Sequence, residues 1–372
     1  MRILITNSML DGRTGTEIVV RDLSLGLKRS GHDPEVYSPL LGPIAEELRS
    51  NGIPVATELR QIERVPDVIH GQHHVQALSA LLRFPDTPAV VVCHDFTAWQ
   101  DEPLIFPRVL RYVAVDHRCK LRFDRNPRIA KEKVRVILNA VDLQRFRPRP
   151  PLPTKPKRAL VFSNYATPRT HASAVRKACK SAGLELDIIG AGFEAVAAEP
   201  EKVLPGYDLV FAKARCALEA MATGSAVVLC DSAGLGSMVN SRDFSDLRKL
   251  NFGAGTLTHP LEPSLLAAEI DEYDPQEARL VSERVRKEAS LDDVVSEWIK
   301  LYEEARREYT GDDSHRTKEL QALTDYLVTW NFESGVSWEH ARIQGSLRWP
   351  RPGGRIHRSL QQGLLRRLLR KT

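Results

Sequence analysis

The sequence predicts an α/β protein built from two successive β-α units joined by a hinge. Three observations carry this expectation. Short continuous apolar runs alternate with stretches of helical periodicity over roughly the first 140 residues. A proline-dense segment at 147–157, Arg-Pro-Arg-Pro-Pro-Leu-Pro-Thr-Lys-Pro-Lys, then interrupts the pattern. Beyond it the same alternation starts again. Continuous apolar runs mark strands covered on both faces, the habit of a parallel sheet flanked by helices.

In the first unit, Ile3-Leu4-Ile5 is a short buried-strand run, followed by a polar turn, Asp11-Gly12-Arg13-Thr14-Gly15-Thr16. Ile18, Val19, Leu23 and Leu27 then recur at helical spacing, with Gly31 as a stop. Further strands are expected at Glu35–Tyr37, Asp67–His70, Ala89–Cys93, Tyr112–Val115 and Val134–Ile137, and a helix over Val75–Leu82. Proline at the density of 147–157 suits neither helix nor central strand, so that segment reads as a semi-rigid linker. In the second unit, strands are expected at Ala159–Phe162, Leu186–Gly190, Asp208–Phe211 and Ala226–Cys230. Helices are expected over residues 171–182 and from Arg215 to Ala222. Leu291–Tyr309 is helical, with Val294, Trp298 and Leu301 on one side and Val295, Ile299 and Tyr302 beside it.

The 372 residues suffice for two to three domains at about 150 residues each. A hydrophobic fraction of 42% argues against global disorder, and 53 Lys+Arg against 48 Asp+Glu leaves +5. That balance excludes an acidic solvating protein and demands no nucleic-acid partner; none is expected. No apolar run approaches the ~20 residues of a spanning helix, and the start is too short for a signal peptide. Cys93, Cys119, Cys179, Cys216 and Cys230 are scattered without a Cys-x-x-Cys pair, which suits a reduced cytoplasmic compartment.

Several segments together resemble the family-4-type retaining glycosyltransferases. They are Met1–Leu4 with the Gly15-Thr16-Glu17 turn, Ser30-Gly31-His32-Asp33-Pro34-Glu35-Val36, Asp67-Val68-Ile69-His70 and Val92-Cys93-His94-Asp95. Leu138-Asn139-Ala140-Val141-Asp142 with Arg145-Phe146-Arg147-Pro148, and Glu219-Ala220-Met221-Ala222-Thr223-Gly224-Ser225-Ala226-Val227-Val228, are the most specific. They span roughly residues 1–240. The resemblance implies the GT-B architecture, two Rossmann-like domains facing each other across a cleft. Residues 1–147 would form the acceptor-side domain, 148–157 the linker and 158–290 the nucleotide-sugar domain. Residues 291–309 would form a crossing helix and 310–372 a basic tail. The family's acidic signature is Glu, seven residues, Glu. Glu219 fits its second position, whereas the first falls on Phe211, which accepts no hydrogen bond. An apolar wall facing the donor sugar, and an unusual donor such as a deoxy sugar, follow as expectations.

The residues expected to carry chemistry each have a plainer alternative. Gly15 precedes a helix whose N–H groups can meet an anion, or it is an ordinary turn. Glu219 can accept bonds from two ribose hydroxyls, or it is an acid favoured by the helix dipole. Lys213 and Arg215 flank a strand-to-helix turn and can stabilise a leaving diphosphate, or they are a solvated pair. Gly234-Leu235-Gly236 can offer backbone donors to phosphate, or is a simple turn. Arg169, after Asn164-Tyr165-Ala166-Thr167-Pro168, is the nearest candidate for the family's basic residue early in the second domain. His70, His73, His74 and His94 follow strands and point towards a cleft, with His94 matching the family position best. His70-x-x-His73 lacks a third ligand for a metal site, and there is no Asp-x-Asp motif.

The catalytic set is therefore His94, Arg169 and Lys213. The donor-binding set is Gly15, Arg215, Glu219, Gly234 and Gly236. No metal or organic cofactor is expected. The expected reaction is transfer of a sugar from a nucleotide-sugar donor to a glycan, lipid-linked or small-molecule acceptor, with retention. An epimerase or hydrolase on the same fold, or a non-catalytic binding or scaffold protein, are the alternatives. In the tail, Leu320, Leu323, Leu327 and Trp330 form a helical stripe. Leu360, Leu364, Leu365, Leu368 and Leu369 are interleaved with Arg355, Arg358, Arg366, Arg367, Arg370 and Lys371. With no acid after Glu339, this end suits an anionic membrane surface at the inner face, a docked helix or disorder.

Overall fold

Each apolar run of the first half becomes a strand of one parallel sheet. The computed structural model describes residues 1–193, 195, 197–311 and 315–334. The first half runs β1 (Arg2–Thr6), α1 (Gly15–Arg29), β2 (Asp33–Tyr37), α2 (Pro43–Ser50), β3 (Val55–Ala56), β4 (Val68–Gln72) and α3 (His74–Arg83). It continues through β5 (Ala89–Cys93), β6 (Val109–Ala114), α4 (His117–Asp124) and β7 (Val134–Val136). The strand order is β3-β2-β1-β4-β5-β6-β7, parallel throughout. β4 and β5 are buried at every position, which is why their sequences show no polar alternation.

The second half runs β8 (Arg158–Phe162), α5 (His171–Ser181), β9 (Glu185–Ile189), α6 (Pro200–Val203), β10 (Leu209–Ala212), α7 (Ala214–Thr223), β11 (Ala226–Asp231) and β12 (Gly234–Met238). Then come α8 (Phe244–Lys249), α9 (Pro263–Asp271), α10 (Pro275–Glu288) and α11 (Leu291–Glu308). Its strand order is β12-β11-β10-β8-β9, with β12 antiparallel to β11. Apolar cores lie on both faces of this sheet. One packs Leu160, Val210, Met221 and Phe244; the other packs Val161, Phe211, Val228 and Leu266. Gly224 ends α7 in the left-handed conformation (φ 93°) that favours glycine, so the run from Glu219 to Val228 folds as helix, stop and strand.

The result is two Rossmann-like sheets within the unit formed by residues 1–312. The chain passes between them twice, side by side: Val141 N donates to Ala289 O at 2.9 Å and Leu291 N to Val141 O at 3.0 Å. Helix α11 then lies against α1. A Cβ on Gly26 would stand 2.5 Å from Val295 Cγ2, so glycine permits this approach.

The second unit contributes α12 (His315–Ser334), on which Leu320, Leu327 and Val328 are exposed. The leucine and arginine set at 355–371 lies outside the described residues.

Candidate active site

Ligands of open parallel sheets bind beyond the carboxyl ends of the strands, where the connections diverge to opposite sides. In the first sheet that point lies between β1 and β4; in the second it lies between β8 and β10. The loops leaving these points meet. Asn164 Nδ2, just past β8, donates to Arg13 O, just past β1, at 2.8 Å. The candidate site is therefore bounded by residues 7–16 on one side and by 163–171 and 212–215 on the other.

Lys213 joins β10 directly to α7 as the helix N-cap. Its ammonium is 3.0 Å from Asp231 Oδ2, at the end of β11, and 5.0 Å from the centroid of the Tyr165 ring, which is 61% exposed. Burial alone would raise the Asp231 carboxyl, but a hydrogen bond from Ser232 and the Lys213 charge hold it below its usual value. His171, the first residue of α5, is fully buried, and neither ring nitrogen finds a partner among the described residues. Burial lowers its pKa despite Asp231. Lys213 thus stands at the divergence of the second sheet, held by a carboxylate and an aromatic face.

Arg215 is drawn elsewhere. Its Nη2 donates to Asp22 Oδ2 on α1 and, at 3.2 Å, to Glu219 Oε1 one turn along α7. Asp22 also receives Arg21 at 2.6 Å, with Arg145 3.9 Å away; Arg145 pairs with Glu201 at 2.9 Å. Burial pulls the Arg215 pKa down, but Asp22 and Glu219 raise it overall. Burial likewise raises Glu219, and Arg215 only partly offsets this. Arg215 and Glu219, expected to meet diphosphate and ribose, therefore form a buried ionic tie between the two sheets' helices. Beside it lies a cavity of about 40 Å³, lined by Asp22, His70, His94, Asn139 and Arg215 among others, with room for a water or two.

Two expectations are corrected outright. Phe211 faces no cleft: it lies inside β10, fully buried against Val161 and Val228. The spacing of the acidic signature assumes a loop, but only Lys213 separates strand from helix here. Ala214 makes the turn with φ 51°, in the left-handed region, and its N–H donates to Phe252 O at 2.7 Å. Gly234 and Gly236 are likewise not a free phosphate loop. They belong to β12, where a Cβ would stand 2.9 Å from His259 O and 2.7 Å from Thr256 O. Close strand packing is the physical reason for both glycines.

The remaining expected residues are dispersed. Gly15 opens α1 with open space around it, but the nearby N–H groups of Gly12 and Thr14 already donate to Glu17, at 2.9 and 2.6 Å. A carboxylate of the chain thus occupies much of that helix terminus. Arg169 is exposed in the turn before α5. His70 lies within β4 rather than after it, its Nδ1 2.7 Å from the Tyr302 hydroxyl on α11. His73 accepts Ser8 N–H at Nδ1 (3.0 Å), with φ 61°. His94 Nε2 is buried without a partner among the described residues. Burial, reinforced by neighbouring charges, pushes His94 down to about 3, so its imidazole is neutral at ordinary pH. Among the described residues no group of three or more His, Cys, Asp or Glu side chains is arranged to hold a metal ion.

Asp231, His171, Asp22 and Tyr165 were missed in the sequence. Asp231 ends an apolar strand run, and that position at a strand's carboxyl end was the available signal.

Residues 13–145 match the family model described as Glycosyltransferase Family 4. Solved structures are similar over most of the chain. A glycosyltransferase from Rickettsia africae shares 15% identity at a TM-score of 0.61, covering 83% of this chain and 99% of that one. HepE from Anabaena, solved in complex with UDP and glucose, shares 16% at 0.58, covering 81% and 99%. Sucrose-phosphate synthase from Thermosynechococcus elongatus shares 14% at 0.56, covering 82% and 98%. At such identities the likeness is one of fold. No curated protein matches the chain.

Proposed function

We propose that this chain, a GT-B glycosyltransferase with a family-4 domain at residues 13–145, uses the junction of its two strand-end loops to transfer a sugar from a nucleotide-sugar donor. The contact between Asn164 and Arg13 carries the reading, because it sets the divergence points of the two sheets face to face. The donor's diphosphate lies against the second domain, near Lys213 and Arg169. The acceptor lies against the first, near His94. The similarity in fold to HepE, solved with UDP and with UDP-glucose, supports a uridine diphosphate sugar as the first donor to try.

In the proposed reaction an acceptor hydroxyl attacks the anomeric carbon as its bond to the phosphate oxygen breaks. The leaving diphosphate takes the acceptor's proton, and transfer proceeds with retention and without metal. Lys213 stabilises the charge that develops on the diphosphate. Because Asp231 already compensates that ammonium, its pull on the donor's ground state is moderated. The neutral His94 orients the acceptor hydroxyl. Side chains position the reactants and no covalent nucleophile is assigned.

A panel of nucleotide sugars, assayed for hydrolysis and for transfer separately, tests the reading. Transfer from at least one donor is expected. Donor hydrolysis without transfer to any acceptor would favour the hydrolase alternative. For the tail we propose contact with an anionic membrane. Removing residues 340–372 should leave nucleotide affinity intact and reduce binding to phosphatidylserine vesicles at low salt.

A further inference from the structure

The loop following β5 contains an aromatic side chain that the donor chemistry does not use. Trp99 is 57% exposed, yet its surroundings are fixed. Asp101 accepts the N–H groups of His94 and Asp95 at 2.9 and 3.1 Å. Asp95 Oδ1 accepts those of Thr97 and Ala98 at 2.6 and 2.9 Å. Arg122, from α4, donates to Asp95 O and Ala98 O at 3.0 and 2.7 Å and pairs with Glu102 at 2.6 Å. Ala98, just before Trp99, is therefore held at both its N–H and its carbonyl. The ring itself meets the edge of His74, centroids 5.6 Å apart at 84°.

The Trp99 loop is continuous with the site. His74 follows His73, whose strained turn (φ 61°) binds the loop leaving β1 through Ser8. Backbone strain of this kind persists where surrounding structure holds it, often at ligand sites. Met9, in that same loop, is also exposed. His94, at the start of the Trp99 loop, has the buried Nε2 that finds no partner among the described residues.

We infer that Trp99 is the platform of a carbohydrate subsite on the first domain, where a neutral sugar ring of the acceptor stacks. The inference rests on the glycosyltransferase reading and names the substrate class of its acceptor side. A pyranose has an apolar C–H face and a rim of hydroxyls. A rigid indole covers the first at little entropic cost, and His74 at its edge, with Asp95 and Glu102 in the same loop, offers polar groups for the second. Arg122, and Arg118 and Arg125 packed on the Phe96 ring of the same loop, are matched by the carboxylates of Asp95, Asp101 and Glu102, and the histidines are held neutral at about 4, so the loop offers no net positive charge for a phosphate. A neutral sugar is favoured over a phosphorylated headgroup on that account.

The test is saturation-transfer NMR with methyl glycosides of glucose, galactose, mannose and N-acetylglucosamine, and with maltose, cellobiose and lactose. Wild type, Trp99→Ala and Trp99→Phe are compared, and UDP binding is measured calorimetrically on the same samples. The wild type should bind at least one saccharide. Trp99→Ala should weaken it about tenfold, Trp99→Phe much less, and UDP affinity should be unchanged in both. Trp99-dependent saccharide binding without any UDP binding would remove the donor reading and leave the subsite standing. No saccharide binding by the wild type, unchanged binding in Trp99→Ala, or parallel loss of saccharide and UDP would each overturn the proposal.

Discussion

Arg215 of the second domain donates to Asp22 of the first, so the helix after β10 is fastened to the helix after β1. Both side chains are almost completely buried. Breaking a buried pair strands a charge, which typically costs about 3–5 kcal/mol. Arg215→Met is expected to lose about that much, because it leaves both Asp22 and Glu219 short of a cation. Arg215→Met combined with Asp22→Asn should lose less than the sum of the single changes. Urea unfolding of the three variants measures the coupling, and strict additivity would show that the contact contributes nothing.

Lys213 and Asp231 make a separate prediction about the reaction. Lys213→Met should weaken UDP binding about tenfold, the worth of one hydrogen bond to a charged group. Asp231→Asn keeps the ammonium but releases it, so kcat should fall while UDP affinity holds or rises. Isothermal calorimetry and steady-state rates separate these outcomes. Equal loss of both in Asp231→Asn would mean that the carboxylate serves the fold alone.

Phe211 can be tested by restoring the acid that the family spacing calls for. Phe211→Glu is expected to destabilise the protein severely and to create no donor contact. It would bury a carboxylate among the apolar side chains of Val161 and Val228. A shift of several degrees or more in Tm, without a change in donor preference, is the expected result. A folded variant with altered sugar choice would return Phe211 to the site.

The Phe211 case also shows where sequence reasoning stops. Strand runs such as Ala89–Cys93 were legible because complete burial leaves a continuous apolar signature. The helix over Leu291–Glu308 was legible because its stripe repeats at helical spacing. β12 was not, since Gly-Leu-Gly-Ser-Met lacks a strand's pattern and owes its place to β11 and the 256–259 segment. Lys213 and Arg215 look alike in sequence, two residues apart on one turn. They diverge because a helix start sends successive side chains in different directions: one to Asp231 in its own domain, the other to Asp22 across the junction. Partners so distant in sequence leave no local trace.

The last prediction concerns acid stability and centres on His70. The imidazole is completely buried inside β4, edge-on to Trp298, with Nδ1 2.7 Å from the Tyr302 hydroxyl and Nε2 3.2 Å from Gln72 Nε2. If Gln72 donates to Nε2, then Nδ1 carries the proton and donates to Tyr302, which leaves the neutral ring fully satisfied. Burial disfavours the charged ring and pushes the pKa from 6.5 down to about 3. The unfolded chain therefore binds a proton near pH 6.5 that the folded chain refuses until about pH 3. Stability from this group is fully present above pH 6.5 and is lost progressively as the pH falls towards 3. At pH 5 the loss attributable to His70 approaches about 2 kcal/mol. His73, His74 and His94 add to the overall slope in the same direction, so the measurement is a difference between variants. His70→Gln lowers stability at pH 7.5 through imperfect packing, but the drop between pH 7.5 and pH 5 should be smaller than in wild type by about that amount. Urea midpoints at the two pH values give the comparison, and identical drops in the two proteins would mean that His70 takes up its proton in the fold as readily as in the unfolded chain.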